Sequence, residues 1–589
     1  MKLSFTKIIV LICTVGISFN GYSKNGTLIV SHKKNATPLT SSGIKLSSYI
    51  NGQTIGDTLV KRFRNDSKRT INIIPEPVQM QLLEGNFSIA PSVQIYFSSK
   101  HPELSKQAKF LSTAIESLSG NKLKITNSPA KTSIQLLISK SQETGKEGYN
   151  LIVTEKGIVI SANTDKGIFY GIQTLLQTMP AIRTNEALKV SCLKITDYPR
   201  FQWRGMMLDV SRHFFSAEAV KNYIDLLATY KMNVFHWHLA DAEGWRLEIK
   251  KYPKLTSVGA WRKEIPGSIF YKVDQSLTGE PFSYGGYYTQ DQVKEIVAYA
   301  AARNVTVVPE IEMPGHSDAA LAAYPELGCT GNPQEVRRSQ GPLPGAEANF
   351  CAGKEQTFAF LQDVLQEVMQ LFPSTYIHIG GDEVDKKCWE NCALCQQRMK
   401  TEGLKNVKEL QSYFIKRMGK FITAKGRKII GWDEILEGGL APNATVMSWR
   451  GEKGGIEAVK LQHDVIMSPS KVLYFNRYQA DTLAVPQPLA AKFTINTLQK
   501  VYDYEPIPKE LTAAESRFVL GSQGCIWTEF ISSVPHLEQM TMPRMLALSE
   551  VLWSPLENKN WDRFKSKAYS HSKRLGDLGV VVFTSDLHP

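Results

Sequence analysis

The nine residues YIHIGGDEV, 376–384, combine a short apolar run with two glycines and two adjacent carboxylates, Asp382 and Glu383. The apolar run predicts a buried strand, and it ends with the two glycines and the two acids. A carboxylate pair at such a point is either a solvated loop end or part of a reactive site. The segments before and after it decide between these two interpretations.

From residue 204 onward, apolar segments that end in polar or aromatic residues alternate with helical patterns. Eight such units over about 350 residues indicate a (β/α)8 TIM barrel with loop insertions. The segments are RGMMLDVS (204–211), NVFHWHLAD (233–241), TVVPEIEMPGH (306–316), YIHIGGDEV (376–384), KIIGWDEI (428–435), TVMSWRG (445–451), DVIMSPS (464–470) running on to YFN (474–476), and FVLGSQGCIWTE (518–529).

The active site of such a barrel is built where the strands end, which selects the candidate residues. Three tryptophans stand at these ends beside carboxylates, and aromatic faces stack well on the apolar face of a pyranose ring. Core packing explains one or two of these tryptophans, but hardly all three. The candidates are Asp209 with Arg204 upstream, Asp241, His316, Asp382, Glu383, Trp432, Trp449, Tyr474, Trp527 and Glu529.

The rest of the chain predicts four further segments around the barrel of residues 196–555. Residues 1–23 have two lysines and a short apolar run, typical of a signal peptide, and residues 24–70 form a polar leader. Residues 71–195 mix short alternating strands with helical patterns at 103–118 and 166–179, which indicates a small α+β domain. Residues 556–589 are expected to be a helical segment packed on the barrel.

Composition and charge limit the classes of function. The net charge is +13, but the basic residues are spread along the chain without a nucleic-acid motif, so nucleic acid is not an expected partner. No segment after the leader is apolar enough over about 20 residues to span a membrane. The sequence therefore predicts an exported protein, whether periplasmic, cell-surface or secreted.

The cysteines and histidines raise the question of a metal. Cys329 and Cys351 bracket a loop rich in glycine and proline, which favours a disulfide between them. Cys388, Cys392 and Cys395 lie close in sequence, but a structural zinc needs four ligands and no fourth is evident nearby, so a Cys392 to Cys395 disulfide or free thiols are favoured. The histidines His236, His238 and His378 are expected to pack in the core. No metal and no cofactor is predicted.

Seven motifs, in order along residues 70–555, resemble the family 20 glycoside hydrolases, the β-N-acetylhexosaminidases. They are WRGMMLDVSRHFF, HWHLADAEGWR, EIEMPGH, HIGGDEV, GWDE, SWRG and QGCIWTE. Glycosidases that work with two carboxylates usually place them roughly 5 to 9 Å apart across the scissile bond, which two neighbours on a chain cannot easily do. The resemblance implies the exception, a retaining mechanism in which the 2-acetamido oxygen of the substrate attacks the anomeric carbon.

The resemblance also implies a role for each candidate residue. Glu383 is then the general acid and base, Asp382 holds the acetamido N–H, and Tyr474 donates to the acetamido oxygen. Two carboxylates in proximity are also expected to raise one pKa, which would keep Glu383 protonated. Arg204 and Glu529 are expected to bind the outer hydroxyls of the sugar, Asp241 and His316 to lie behind Glu383, and three tryptophans to wall the ring and acetamide, namely Trp432, Trp449 and Trp527.

One position departs from the family pattern. Two residues after Tyr474 the family commonly has an aspartate, and here the pair is Asn476 and Arg477. A neutral amide beside a guanidinium suits an anionic group on O6 of the sugar, so the sequence predicts that 6-sulfated N-acetylhexosamine is accepted or preferred. The alternative is that Arg477 points to solvent and the substrate is unsulfated.

Two other classes of function stay open at the level of sequence. A glycan-binding homologue without catalysis would keep the pocket, although intact acids argue against it. A metallohydrolase would use the histidines and cysteines. The sequence does not decide the natural glycan, its linkage, or the oligomeric state.

Overall fold

The computed structural model of this chain describes residues 28–32, 35–39, 49–50, 53–54, 71–128, 132–140, 143–184, 187–585 and 587. The predicted signal peptide, 1–23, lies outside these residues. Within the predicted polar leader there are two antiparallel hairpins, Leu28–His32 with Asn35–Leu39 and Tyr49–Ile50 with Gln53–Thr54. The chain divides into two compact units after Ile71.

The second unit begins with the predicted α+β domain, a seven-stranded mixed sheet and two helices. Its strands alternate buried and more exposed residues, as a half-buried sheet requires. They lie in the order β1-β7-β5-β6-β4-β2-β3. The strands are β1 Gln79–Ile89, β2 Gln94–Phe97, β3 Lys124–Thr126, β4 Ser133–Ile138, β5 Tyr149–Thr154, β6 Gly157–Ala162 and β7 Leu188–Asp197, and the helices are α1 Ser105–Ser119 and α2 Asp165–Gln177.

Eight parallel strands then close into a barrel, which confirms the predicted fold class. Each strand pairs with the next along the chain, and the last pairs with the first. Most residues of these strands are buried, because helices cover the outside and side chains fill the inside. The strands are β8 Trp203–Asp209, β9 Val234–His238, β10 Thr306–Glu310, β11 Tyr376–His378, β12 Lys428–Trp432, β13 Thr445–Ser448, β14 Val465–Met467 and β15 Val519–Ile526.

The helices around the barrel begin at polar caps where the sequence supplies them. The side chain of Ser216 caps the first, and Thr289 forms a capping box with Gln292. The helices are α3 Ala217–Thr229, α4 Lys254–Ser257, α5 Gln290–Ala301, α6 Asp318–Ala323, α7 Glu355–Leu371, α8 Lys387–Glu390, α9 Ala393–Glu402, α10 Val407–Ala424, α11 Lys453–Lys460, α12 Ser470–Leu473, α13 Leu498–Asp503, α14 Ala513–Ser516, α15 Val534–Thr541, α16 Arg544–Trp553 and α17 Trp561–Asp577.

A buried carboxylate, Asp197, joins the α+β domain to the barrel. Lys231, after α3 of the barrel, donates to Asp197 at 2.8 Å, and Trp553 of α16 donates at 2.8 Å. Tyr149 of the α+β domain donates to the same carboxylate at 2.6 Å. Because these groups are buried and their hydrogen bonds are satisfied, the junction holds the two parts in one arrangement.

The C-terminal helix α17 packs against the barrel and the α+β domain together. His571 lies 3.2 Å from the hydroxyl of Tyr230, next to the barrel helix α3, and 3.0 Å from the carbonyl of Asn72. Arg574 donates to the carbonyl of Leu176 in α2 at 3.0 Å. The sequence predicts contact with the barrel alone, since nothing in its pattern shows the second surface. Among the described residues, no helix has the length and apolar character that crossing a membrane requires.

Candidate active site

Asp382 and Glu383 lie in a sharply turned loop after β11. Gly380 and Gly381 have φ of +67° and +96°, a conformation that glycine adopts without strain. A Cβ on Gly380 would lie 1.8 Å from the carboxylate of Glu312, so no larger residue fits there. Glu383 itself has a φ of +46°, a strain that proteins typically hold at functional sites. The turn therefore explains the glycines that precede the two acids.

His316 faces both carboxylates from the loop after β10. Its Nε2 lies 3.5 Å from Oδ2 of Asp382 and 3.6 Å from Oε2 of Glu383. Its Nδ1 lies 3.0 Å from Oδ1 of Asp241, which is buried behind it. The structure thus brings the four residues together in the order that the sequence predicts. Both acids lie on the same side of the pocket, against one imidazole.

A fully buried carboxylate, Glu310 at the end of β10, forms the floor beneath this group. His236 Nε2 lies 3.0 Å from it, His378 Nδ1 lies 2.7 Å from it, and His238 Nδ1 also contacts it. Trp432 Nε1 donates to its Oε1 at 2.8 Å. The three histidines are therefore part of the barrel core, as predicted, where they satisfy one buried charge.

Charged side chains of alternating sign lead from Glu310 toward the two candidate catalytic acids. Burial opposes a charge on His238, but Glu310 raises the pKa of His238 to about 10. The other nitrogen of this imidazole lies 2.9 Å from Asp241. Burial alone would raise the pKa of Asp241, but Arg212 and His316 hold it well below its usual range. Asp241 in turn raises the pKa of His316 well above its usual range, against the effect of burial.

The two candidate catalytic acids titrate in the opposite order from the one expected. Burial raises the pKa of Asp382, although the nearby His316 opposes this rise. The facing His316 lowers the pKa of Glu383, against the effect of burial. Exposure adds to this difference, because the side chain of Glu383 is 61% exposed and that of Asp382 is 12% exposed. The sequence correctly predicts one raised pKa but assigns it to the wrong acid.

Aromatic residues from four strand ends form the wall of the pocket. Trp449 stacks on Tyr474 with ring centroids 6.0 Å apart and planes 14° apart. Trp432 and Trp527 follow, with centroids 5.8 Å apart. Glu434 accepts a hydrogen bond from Trp449 Nε1 at 2.9 Å, which fixes the ring plane. All four aromatic residues are at the places that the sequence predicts.

These residues enclose a cleft of about 490 Å³. Several polar atoms in it are buried and have no hydrogen-bond partner among the described residues, namely Asp382 Oδ1, Asn476 Oδ1, Arg477 Nε and Glu529 Oε2. Buried polar atoms without partners are uncommon and costly, so their convergence indicates a polar ligand. The other lining residues are Arg212, Tyr271, His316, Glu383, Trp432, Trp449, Ser470, Lys471, Tyr474, Phe493, Thr494 and Trp527.

The placement of Arg204 in the pocket is wrong. Arg204 stands near the beginning of β8, at the opposite end of the barrel from the active site, where it donates to Glu147 at 2.9 Å and to the carbonyl of Lys231 at 2.8 Å. Arg212, which follows the end of β8, lines the pocket instead. It contacts Asp241 at 2.9 Å and lies over the ring of Trp527. The rule that strand ends build the site selects Arg212 from the same sequence motif.

The cysteines also differ from the sequence prediction. The described residues contain no disulfide, so the predicted one between Cys329 and Cys351 is absent. The four side chains of Cys329, Cys351, Cys392 and Cys395 converge, with every pair of sulfurs within 4.8 Å. The sequence shows no fourth ligand near Cys388, Cys392 and Cys395, because the loop of residues 329–351 and helix α9 meet only in the fold.

Comparison with known proteins assigns the family. Residues 201–556 match the catalytic domain of glycosyl hydrolase family 20, and residues 70–198 match domain 2 of that family. A β-hexosaminidase of Porphyromonas gingivalis is 44% identical over 519 residues, which cover 87% of this chain and 64% of that protein. A β-hexosaminidase of Akkermansia muciniphila is 33% identical over 450 residues, which cover 75% of this chain and 86% of that protein.

Solved structures agree with this assignment. The β-N-acetylhexosaminidase of Bacteroides fragilis has a TM-score of 0.72 at 32% identity, covering 87% of this chain and 96% of that one. The enzyme of Streptomyces coelicolor has a TM-score of 0.75 at 29% identity, covering 88% and 98%. The chain belongs to glycosyl hydrolase family 20, and it is a glycoside hydrolase.

We expect a pH-dependent effect of the substitution Glu529→Gln. Burial raises the pKa of Glu529 from 4.5 to about 7, so the folded protein holds a proton that the unfolded chain releases. The wild type therefore loses stability as the pH rises from 4.5 through about 7, by up to about 3 kcal/mol, and glutamine does not. Thermal unfolding across this range should show the variant gaining on the wild type with rising pH. A stability difference between variant and wild type that stays constant with pH would contradict a raised pKa of Glu529.

Proposed function

We propose that the chain is an exo-acting β-N-acetylhexosaminidase that releases terminal β-linked N-acetylhexosamine with retention of configuration. The observation that carries this proposal is the contact of one imidazole, His316, with both Asp382 and Glu383. Two acids on the same side of the pocket cannot flank a scissile bond as acid and nucleophile. The nucleophile is then the 2-acetamido oxygen of the substrate itself.

Asp382 positions and stabilises the acetamide. Its unpartnered Oδ1 accepts the acetamido N–H, which turns the amide oxygen toward the anomeric carbon. Because the side chain is buried, its carboxylate charge is weakly solvated and acts strongly on the positive cyclic intermediate. Tyr474 donates its hydroxyl to the amide oxygen, and the stacked Trp449 holds the Tyr474 ring in place.

Glu383 protonates the leaving oxygen and then activates water. A sugar over the pocket removes solvent from this exposed side chain, which raises its pKa. Hydrogen bonding of the acetamide to Asp382 favours the charged carboxylate there, and its repulsion raises the pKa of Glu383 further. Binding of the substrate therefore reverses the order of the two pKa values and puts the proton where the leaving group needs it.

We expect Glu383→Gln and Asp382→Asn to separate these roles. Glutamine at 383 abolishes hydrolysis of glycosides with poor leaving groups, while an activated aryl leaving group restores part of the rate. Asparagine at 382 costs about 3 to 4 kcal/mol of transition-state stabilisation with either leaving group, on the scale of a lost charge-stabilising group. The measurement is kcat/KM on an aryl glycoside and an alkyl glycoside. Rates near those of the wild type for both variants would exclude this mechanism, whereas no hydrolysis by the wild type itself would favour a glycan-binding protein.

The same pocket has features that suit an anionic substituent on the sugar. Arg477 is only 8% exposed, so the interpretation that it points to solvent does not fit. Thr494 accepts from its Nη1 at 2.7 Å, and the rings of Tyr474 and Phe493 each have their centroid 5.5 Å from the guanidinium carbon. Its Nε has no partner among the described residues and is available to an oxyanion.

Neighbouring charges favour an anion at this place. Asn476 is neutral, and its buried Oδ1 lies in the cleft without adding a negative charge. Lys471 also lines the cleft, and Lys500 is close enough that burial together with Arg477 and Lys471 lowers its pKa. Three cations with mutual repulsion are stabilised by a bound anion. These contacts support the proposal that the enzyme accepts 6-sulfated N-acetylglucosamine or N-acetylgalactosamine ends, because the three cations attract the sulfate.

We expect the double substitution Asn476→Asp with Arg477→Leu to lower the ratio of kcat/KM for a 6-sulfated aryl glycoside over its unsulfated counterpart. The ratio should fall at least about tenfold, because Arg477→Leu removes the guanidinium that would bind the sulfate and Asn476→Asp adds a carboxylate that repels it. Arg477→Met is the matched control for length and packing, and it should lower the ratio without repelling the sulfate. If the wild type does not cleave the sulfated glycoside, or if the double variant keeps the ratio, the substrate is the ordinary unsulfated one.

A further inference from the structure

Four cysteines from two separate parts of the barrel's loops meet beside the active-site loop. Cys329 and Cys351 come from the long connection between α6 and α7. Cys392 and Cys395 come from the start of α9, ten residues after the catalytic turn. Three of the four are buried, and Cys329 is half-buried. No role in hydrolysis uses this cluster.

The spacing of the sulfur atoms matches tetrahedral coordination. Four thiolates around zinc at about 2.3 Å place neighbouring sulfurs about 3.8 Å apart. The Sγ of Cys351 lies 3.6 Å from that of Cys395 and 3.8 Å from that of Cys392, and Cys329 lies 3.9 Å from Cys395. All remaining pairs are within 4.8 Å. Four sulfurs at near-tetrahedral distances form a closed ligand set.

From this geometry we propose that Cys329, Cys351, Cys392 and Cys395 form a structural zinc site. Thiolate ligands select zinc over the oxygen-preferring cations, and four protein ligands leave no position for catalysis. The site therefore holds structure and does not take part in the reaction. The proposal is independent of which glycan the enzyme cleaves.

Two disulfides are a poorer fit to the same atoms. A disulfide requires sulfurs about 2.05 Å apart, and no pair in the cluster is that close. Cys351 stands at nearly equal distances from Cys392 and Cys395, so its sulfur is shared between two neighbours. A sulfur with several sulfur neighbours is typical of a single metal ion with four thiolate ligands, in which each ligand lies close to the other three.

The surrounding chain is shaped to bring the ligands together. A Cβ on Gly353 would lie 2.3 Å from the carbonyl carbon of Leu394, so only glycine lets the turn after Cys351 approach α9. Trp389 donates to the carbonyl of Phe350 at 3.0 Å, which links the segment before Cys392 to the residue before Cys351. These contacts fix the spacing of the ligands from both sides.

The zinc site would anchor the chain that follows Glu383. Asn349, two residues before Cys351, donates to the carbonyl of Asp385 at 2.5 Å. The segment that includes the strained Glu383 is therefore tied at its far end to the loop that carries Cys351. Because a turn held at positive φ persists only when its surroundings fix it, the proposed zinc contributes to that constraint through the loop that carries Cys351.

Elemental analysis of the purified enzyme tests the site. We expect one zinc ion per chain, and we expect Cys351→Ser to lower the zinc content at least about tenfold, because a structural zinc needs four protein ligands and only three thiolates remain. Cys388→Ser is the matched control. Its sulfur contacts that of Cys329, accepts from Asn349 and donates to the carbonyl of Asp385, but it does not belong to the quartet, so the zinc should stay.

A second measurement on the wild type decides the matter if the serine variant does not fold. The region from Cys192 to Cys525 contains seven cysteines. If the site holds zinc, all seven cysteines should react as thiols after denaturation in the presence of a chelator. Protein from cells grown on cobalt should show the visible absorption of a tetrahedral cobalt thiolate site. Three reactive thiols and no zinc would show two disulfides and overturn the proposal. Equal loss of zinc from Cys388→Ser would overturn the ligand set.

Discussion

The active site depends on one buried carboxylate, Glu310, in the floor of the barrel. An ionised carboxylate without water is costly unless charged or polar partners surround it, and here three histidines and a tryptophan do so. One of these partners, His238, becomes a cation that faces Asp241. Removing the negative charge of Glu310 would take away the carboxylate that His236 and His378 contact and a charge that favours the protonated form of His238.

From that carboxylate, charges of alternating sign lead to the reacting groups. Asp241 is held ionised by Arg212 and His316, and it keeps His316 protonated in turn. The charged imidazole then contacts Asp382 and Glu383 together. The proton affinity of each acid is therefore set by burial and by one shared cation, which is why the more exposed Glu383 has the lower pKa. In the proposed mechanism, a bound sugar changes the exposure of both acids and so changes which of them holds the proton.

Much of this arrangement could be predicted from the sequence, because barrels place function at strand ends. Eight apolar segments with polar or aromatic ends were enough to predict the barrel, the acid pair and the four aromatic walls. Arg204 was misplaced because it belongs to a recognisable motif but begins a strand, whereas Arg212 follows its end. The order of the two pKa values depends on the exposure of two neighbouring side chains, which a linear sequence does not contain. The cysteine quartet depends on a contact between loops more than 40 residues apart, such as Cys351 with Cys395.

The central claim is that the substrate's own acetamide is the nucleophile and that Asp382 stabilises the resulting positive ring. The most direct measurement compares inhibition by a thiazoline mimic of that cyclic intermediate with inhibition by free N-acetylglucosamine. The account predicts that the mimic binds at least about 100-fold more tightly, as analogues of transition states do. Equal affinity of the enzyme for the two compounds would contradict it.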